Sequence, residues 1–227
     1  MYIGIRQKKW KKLVYKLKPE FIRLNETNRL YKLKTPVIGL TGGVATGKST
    51  VTKMLREFGM PVIEADKLVH KIYAQDSSLE FIKTNFPAAI KKDKIDFPAL
   101  RKLFFESGDN QKKIEKFIYA QLETEFLLAA DKFKGMDFLI YDVPLLFEKK
   151  LNTLVDTSVC VYAGLEIQIT RMMERDNIEK ELALKMIQTQ IDIDDKRDMS
   201  DWVIENGGPL KNLDSELNKF IEHLFRK

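Results

Sequence analysis

The chain has 227 residues, 44% hydrophobic and 32% charged, the balance of an ordinary folded domain. No run approaches the roughly 18 apolar residues of a spanning helix, so the chain reads as soluble, with the cytoplasm as its expected location. One cysteine rules out an internal disulfide, and two histidines leave little for a zinc site.

The net charge of +6 is unevenly placed: residues 1–34 hold eleven basic and two acidic residues, a local +9, which leaves −3 for the rest. The basic pI therefore belongs to an N-terminal extension, residues 1–35, and no specific nucleic-acid partner follows from it. Trp10, Leu13, Val14 and Leu17 lie among its lysines. That spacing is open to an amphipathic helix on an anionic surface and to an arm solvated or packed on the body; the second is the expectation. The extension lacks the apolar core and cleavage site of a secretory signal, and it is not assigned as a transit peptide.

From Pro36 the pattern changes. Residues 37–40 form a short apolar run that enters a glycine-rich turn, and a helix is expected from there to Phe58, stopped by Gly59 and Pro61. Residues 61–65 read as a second buried strand ending at Asp66, with a helix over 67–74. Strand, glycine loop, helix and strand in this order make a βαβ unit of a parallel sheet. Residues 67–134 are charged and mostly helical by periodicity, with Phe97, Leu100, Phe104, Ile114, Phe117 and Leu122 as apolar marks. Further strands are expected over 138–142, 157–162 and 201–205, and helices over 165–175, 179–190 and 210–225. Cys160 falls in the fourth strand and reads as a small core residue. The sum is a doubly wound α/β core with five strands.

The strongest motif is Gly42-Gly43-Val44-Ala45-Thr46-Gly47-Lys48-Ser49, which fits the phosphate-loop pattern G-x-x-x-x-G-K-[ST] between a strand and a helix. Glycines let main-chain N–H groups turn inward around phosphates, and the following helix adds its dipole. Lys48 is expected on the β- and γ-phosphates of ATP, and Ser49 on Mg²⁺. Asp66, at a strand end, is read either as the group that takes a proton from an attacking hydroxyl or as a helix N-cap. Asp142, ending the third strand, either supports Mg²⁺ through water, holds substrate, or serves a turn. Arg171 and Arg175 share one helix face, as a phosphate clamp or as solvated surface.

Several segments together resemble the dephospho-CoA kinase family. VIGLTGGVATGKS at residues 37–49 is similar to that family's first motif, and Val62-Ile63-Glu64-Ala65-Asp66 to its V-I-D-A-D. DVPLLFE at residues 142–148 matches a segment characteristic of the family, and Arg171-Met172-Met173-Glu174-Arg175-Asp176 resembles its lid. Gln190, Lys196-Arg197 and residues 201–208 follow in the family's order. The resemblance runs from Pro36 to the C-terminus, and two departures stand out. Tyr119-Ala120 occupies the place of a usual His-Pro, and Ala45 that of a frequent glycine.

What the resemblance implies is a P-loop kinase core over 36–227, with a helical acceptor-binding insertion at 67–135 and a lid at about 165–200. The reaction implied is ATP-dependent phosphorylation of the ribose 3′-hydroxyl of dephospho-CoA. By the same carry-over Lys48, Asp66, Arg171 and Arg175 are catalytic. ATP lies along Gly43, Val44, Ala45, Thr46, Gly47, Lys48, Ser49 and Thr50, with Asn206 and Gly207 near the adenine. Asp66, Asp142 and Tyr119 face the acceptor, Ser49 the metal, and a monomer is expected.

Overall fold

The computed structural model describes residues 15–226, so Trp10, Leu13 and Val14 lie outside the described residues. The described chain divides into two compact units, one reaching up to Ile63 and resuming at Gly135, the other formed by Glu64–Lys134.

The first unit is built on a five-stranded parallel sheet. Its strands in chain order are β1 (Val37–Gly42), β2 (Val62–Glu64), β3 (Leu139–Asp142), β4 (Thr157–Tyr162) and β5 (Trp202–Glu205). They lie side by side in the order β2-β3-β1-β4-β5. Every residue of β1 is buried, as a central strand covered on both faces requires. Val37 pairs with Leu139 on one side and Ile38 with Thr157 on the other. Gly39 is required by packing: a Cβ there would meet Leu146 Cδ1 at 2.9 Å, so the DVPLLFE segment lies directly on the central strand. Helices α1 (Lys48–Glu57) and α9 (Leu210–Leu224) bury Val51, Leu55, Leu213, Leu217 and Phe220 against this sheet. Each such side chain contributes roughly 1.5–3 kcal/mol relative to exposure.

The second unit contains α2 (Ala65–Tyr73), α3 (Asp76–Asn85), α4 (Phe97–Glu106) and α5 (Gly108–Asp131). They close on their own apolar cluster around Ile72, Ile82, Phe86, Leu100 and Ile114. A two-residue hairpin, Ile90–Lys91 with Lys94–Ile95, was not expected from the sequence. Its turn places Lys92 and Asp93 at φ 50° and 57°, a primed turn made without the Asn-Gly or Gly-Gly that announces one. Phe97 is half exposed at the first turn of α4, where it meets Tyr73 edge-on, so it marks the end of a helix rather than its core face.

Three further differences have local causes. The second helix begins at Ala65, not Lys67, so Asp66 sits in its first turn, where an acid complements the helix dipole. The N-cap is Glu64, which removes the capping role for Asp66. A short helix α8 (Ile193–Met199) follows α6 (Leu165–Asp176) and α7 (Lys180–Ile187); Asp192 starts it by accepting from Asp194 N at 2.8 Å. Its seven residues are too short for periodicity to reveal.

Residues 15–35, the described part of the extension, form no α-helix. Lys16–Leu17 pairs antiparallel with Phe225–Arg226, and two 3₁₀ turns follow, at Pro19–Phe21 and Leu30–Lys32. Leu17 and Leu30 are buried, and Arg29, only 5% exposed, is ion-paired with Asp156. Among the described residues no helix is long and apolar enough to cross a membrane.

Candidate active site

The phosphate loop leaves β1 at Gly42, and its conformation explains the residues it uses. A Cβ on Gly42 would meet Val161 O at 2.8 Å, and Gly47, at φ +87°, would place one 2.1 Å from Asn206 Nδ2. Gly47 is thus demanded by backbone conformation and by close approach together. Ala45 lies at φ +59°, in the left-handed region, which accounts for the glycine common at that position. Thr46 is buried and its hydroxyl donates to Gly43 O at 2.9 Å, closing the loop on itself. Helix α1 starts at Lys48 from Gly47, which has no capping side chain, so its first turn offers main-chain donors and a positive dipole end.

Lys48 Nζ forms an ion pair with Asp142 Oδ1, and Thr52 Oγ1, one turn further along α1, donates to Asp142 Oδ2 at 2.6 Å. Asp142 is 4% exposed, so the strand end reads as a buried anion that orients the loop lysine. Ser49, second in the helix, keeps its side chain exposed, and Thr50 is half-buried.

Arg171 comes from α6 and reaches the loop from outside. Its Nη1 donates to Ala45 O at 3.4 Å and to Thr46 O at 3.3 Å, and its Nη2 to Asn206 O at 2.7 Å. Asn206, 7% exposed at the end of β5, donates through Nδ2 to Thr46 O at 2.7 Å and through its own N–H to Tyr162 O. Asn206 therefore braces the loop main chain. A cleft lined by Gly47, Thr50, Arg171, Asn206, Gly208 and Leu210 opens beside it. Val44 and Ala45 pack on Ile169, Met172 and Ala183 of α6 and α7, so these two helices rest on the loop itself. Arg175, four residues beyond Arg171, is exposed and forks onto Asp176 at 2.8 and 2.7 Å. The two arginines thus do not converge: one touches the loop and the other pairs with its neighbour.

Sequence reasoning quoted Lys196 only as part of a pattern, without a role. It is fully buried, and its Nζ binds Glu148 at 2.7 Å and Pro144 O at 2.9 Å. The same Pro144 carbonyl accepts from Thr41 Oγ1 at 3.0 Å, one residue before the phosphate loop. A buried ammonium needs such a partner set; Lys196 ties DVPLLFE to α8, and Thr41 ties it to the loop's entry. A lysine within a polar seven-residue helix carries no sequence signal of burial.

Asp66 and Tyr119 belong to the second unit. Asp66 is exposed in the first turn of α2, and Tyr119 is 47% exposed on α5. Cys160 is fully buried, and desolvation pushes its thiol up to about 12, which agrees with a core residue. No cluster of three or more metal-ligating side chains occurs among the described residues. Magnesium held by a hydroxyl, one carboxylate and substrate phosphates needs no such cluster, and Ser49 and Asp142 are the residues here that would offer those oxygens.

The comparisons agree with this geometry. The family model for dephospho-CoA kinase matches residues 36–212. A dephospho-CoA kinase of Fusobacterium nucleatum is 36% identical over 188 residues, 82% of this chain and 97% of its own length. One from a Wolbachia of Brugia malayi is 34% identical over 191 residues, covering 83% and 97%. Among solved structures, a Thermus thermophilus protein superposes with a TM-score of 0.75 at 29% identity, covering 84% of this chain and 98% of its own. A dephospho-CoA kinase from Campylobacter jejuni superposes with a TM-score of 0.62 at 27% identity, covering 82% and 96%. A matched family model across most of the chain, and a phosphate loop set between a buried aspartate and Arg171, lead to one assignment: this chain belongs to the dephospho-CoA kinase family.

Proposed function

We infer that this enzyme transfers the γ-phosphoryl group of ATP to the ribose 3′-hydroxyl of dephospho-CoA, giving coenzyme A and ADP, the last step of coenzyme A synthesis. The observation that carries the reading is the phosphate loop at residues 42–49 with Lys48 paired to a buried Asp142.

Lys48 is a point charge on a flexible stem, so it exchanges Asp142 for the β- and γ-phosphate oxygens as ATP enters. Loop N–H groups from Gly43 to Thr50 and the start of α1 hold the remaining phosphate charge. Asp66 accepts the proton of the 3′-hydroxyl as that oxygen bonds to the γ-phosphorus and the bridge to the β-phosphate breaks, releasing ADP. Arg171, already seated on the loop, stabilises the charge spread over the transferring group; Arg175 leaves Asp176 to join it when the lid closes. Ser49 and Asp142 would hold magnesium, which when bound would neutralise charge on the phosphate oxygens. Asn206 and Gly207 flank the adenine. Residues 67–135, with Tyr119 exposed on α5, receive the acceptor, and residues 165–200 act as the lid. A monomer working in the cytoplasm fits these assignments.

The deciding experiment is ADP release from ATP and Mg²⁺ with and without dephospho-CoA, with Lys48→Ala as control. Release that depends on acceptor and vanishes in the control establishes the reaction; ATP binding without acceptor-dependent turnover overturns the acceptor. Asp66→Asn is expected to lower kcat by about 10² to 10⁴ with ATP affinity within roughly twofold. An unchanged kcat removes Asp66 from the proton-accepting role.

A further inference from the structure

The phosphate loop has a glycine that neither the motif nor the backbone explains. Gly43 is a free position in the loop pattern, and it is not among the glycines with positive φ. What it faces is Gln168 of α6: a Cβ on Gly43 would lie 2.7 Å from Gln168 Oε1. Gln168 is fully buried. Its Nε2 donates to Ala163 O at 3.0 Å, across the start of its own helix. Its Oε1 is buried with no hydrogen-bond partner. A buried carbonyl without a donor is costly, and native interiors seldom keep one without a use. This one faces the loop whose main-chain N–H groups form the concavity for phosphates. Three residues on, one helical turn away, Arg171 reaches Ala45 O and Thr46 O.

We propose that Gln168 is a positioning residue: Nε2 fixes the start of the lid helix, and Oε1 takes a main-chain N–H of the phosphate loop once nucleotide seats that loop. The bound loop then supplies the donor that Oε1 lacks, so nucleotide binding itself sets the depth of α6 and the aim of Arg171. Gly43 is glycine because the amide must come this close. The inference rests on the kinase reading only through the nucleotide, so its test omits the acceptor.

The experiment is calorimetry of ADP with Mg²⁺ on full-length Gln168→Met, whose side chain has similar volume but neither the amide oxygen nor the amide donor. The Kd is expected to rise about tenfold, and kcat in the complete assay to fall by a similar factor. The melting temperature of the nucleotide-free protein should fall somewhat, because the Nε2 donor to Ala163 O is lost, so affinities are compared at a temperature where both proteins are fully folded. Gly43→Ala reads the same contact from the loop side. It should weaken ADP binding, and adding Gln168→Ala should recover part of the loss, a non-additive pair. Wild-type ADP affinity in Gln168→Met overturns the proposal. So does strict additivity of the Gly43 and Gln168 substitutions, measured where every variant is fully folded.

Discussion

Each end of the sheet buries an aspartate against a cation, and the two pairs are built differently. At the amino-terminal end Asp156 is 1% exposed and accepts from five donors: the main-chain N–H groups of Arg23, Leu24 and Val37, and Nε and Nη2 of Arg29. The rest of the Arg29 fork is spent on the carbonyls of Leu24, Leu33 and Lys34. At the carboxy-terminal end Asp142 is held by Lys48 and Thr52. A planar guanidinium with all its donors directed inward is a closure, whereas an ammonium on four methylenes can change partners. The difference separates a charge kept for the fold from one that the proposed mechanism uses in the reaction. It also explains how residues 15–35, outside the matched family region, are tied to the first unit: their backbone supplies donors that Asp156 needs.

The comparison is broken most severely by removing each cation or anion in turn. Lys48→Ala should reduce turnover by on the order of 10³-fold, the scale of losing a preorganised transition-state donor. Its unfolding midpoint should fall less than that of the next variant. Asp156→Ala strands Arg29 in the interior and should cost about 3–5 kcal/mol of stability, read by urea unfolding. Its kcat, measured at a temperature where it remains folded, should match the unmodified protein. An Asp156 variant that is stable but inactive would erase the division between the two ends.

Much of the carboxy-terminal end was legible in the sequence, because phosphate chemistry imposes local patterns. The glycine spacing, the lysine and the strand before them lie within a dozen residues, and the structure places them as expected. Asp142 was correctly put at a strand end, yet its partner is 94 positions away in the chain, and no local pattern joins them. The amino-terminal end was illegible for the same reason carried further. Arg29 and Asp156 are 127 residues apart, and a cation in a basic stretch carries no mark that distinguishes it from its solvated neighbours. Helix α8 and the buried Lys196 were missed because seven residues with five acids and bases show no apolar face. Arg175 followed the lid pattern in sequence but pairs with Asp176, since a helix end leaves its side chain free to fold back.

A smaller effect sharpens the comparison inside the loop. Ala45 holds a left-handed backbone that costs an L-residue about 1–2 kcal/mol. Ala45→Gly removes that strain but gives the unfolded chain more freedom, worth about 0.4–1 kcal/mol. The net gain should be no more than about 1 kcal/mol in thermal unfolding. Ala45→Val, with a branched Cβ at the same φ, should lose stability and weaken nucleotide binding. If both variants behave like the parent, the loop is not strained at this residue.

The smallest expected effect is a pH dependence at the amino-terminal end. Asp201 is partly buried, which by itself raises its carboxyl. The N–H of Ser158, the guanidinium of Arg23 and the Ser158 hydroxyl outweigh that and hold it below the ordinary 3.8. A folded carboxyl held below its unfolded value favours the folded state once it is ionised. Its contribution is therefore complete above about pH 4 and fades as pH falls through the folded value. Arg23 is half exposed in this pair, so salt should weaken the effect. Asp201→Asn should thus narrow the gap between urea midpoints at pH 7 and pH 3. Because Arg23 lies in the segment that also meets Asp156, the gap should respond to Arg23→Gln in the same direction. A gap unchanged in both variants would leave Asp156 alone as the charge that ties this segment to the sheet.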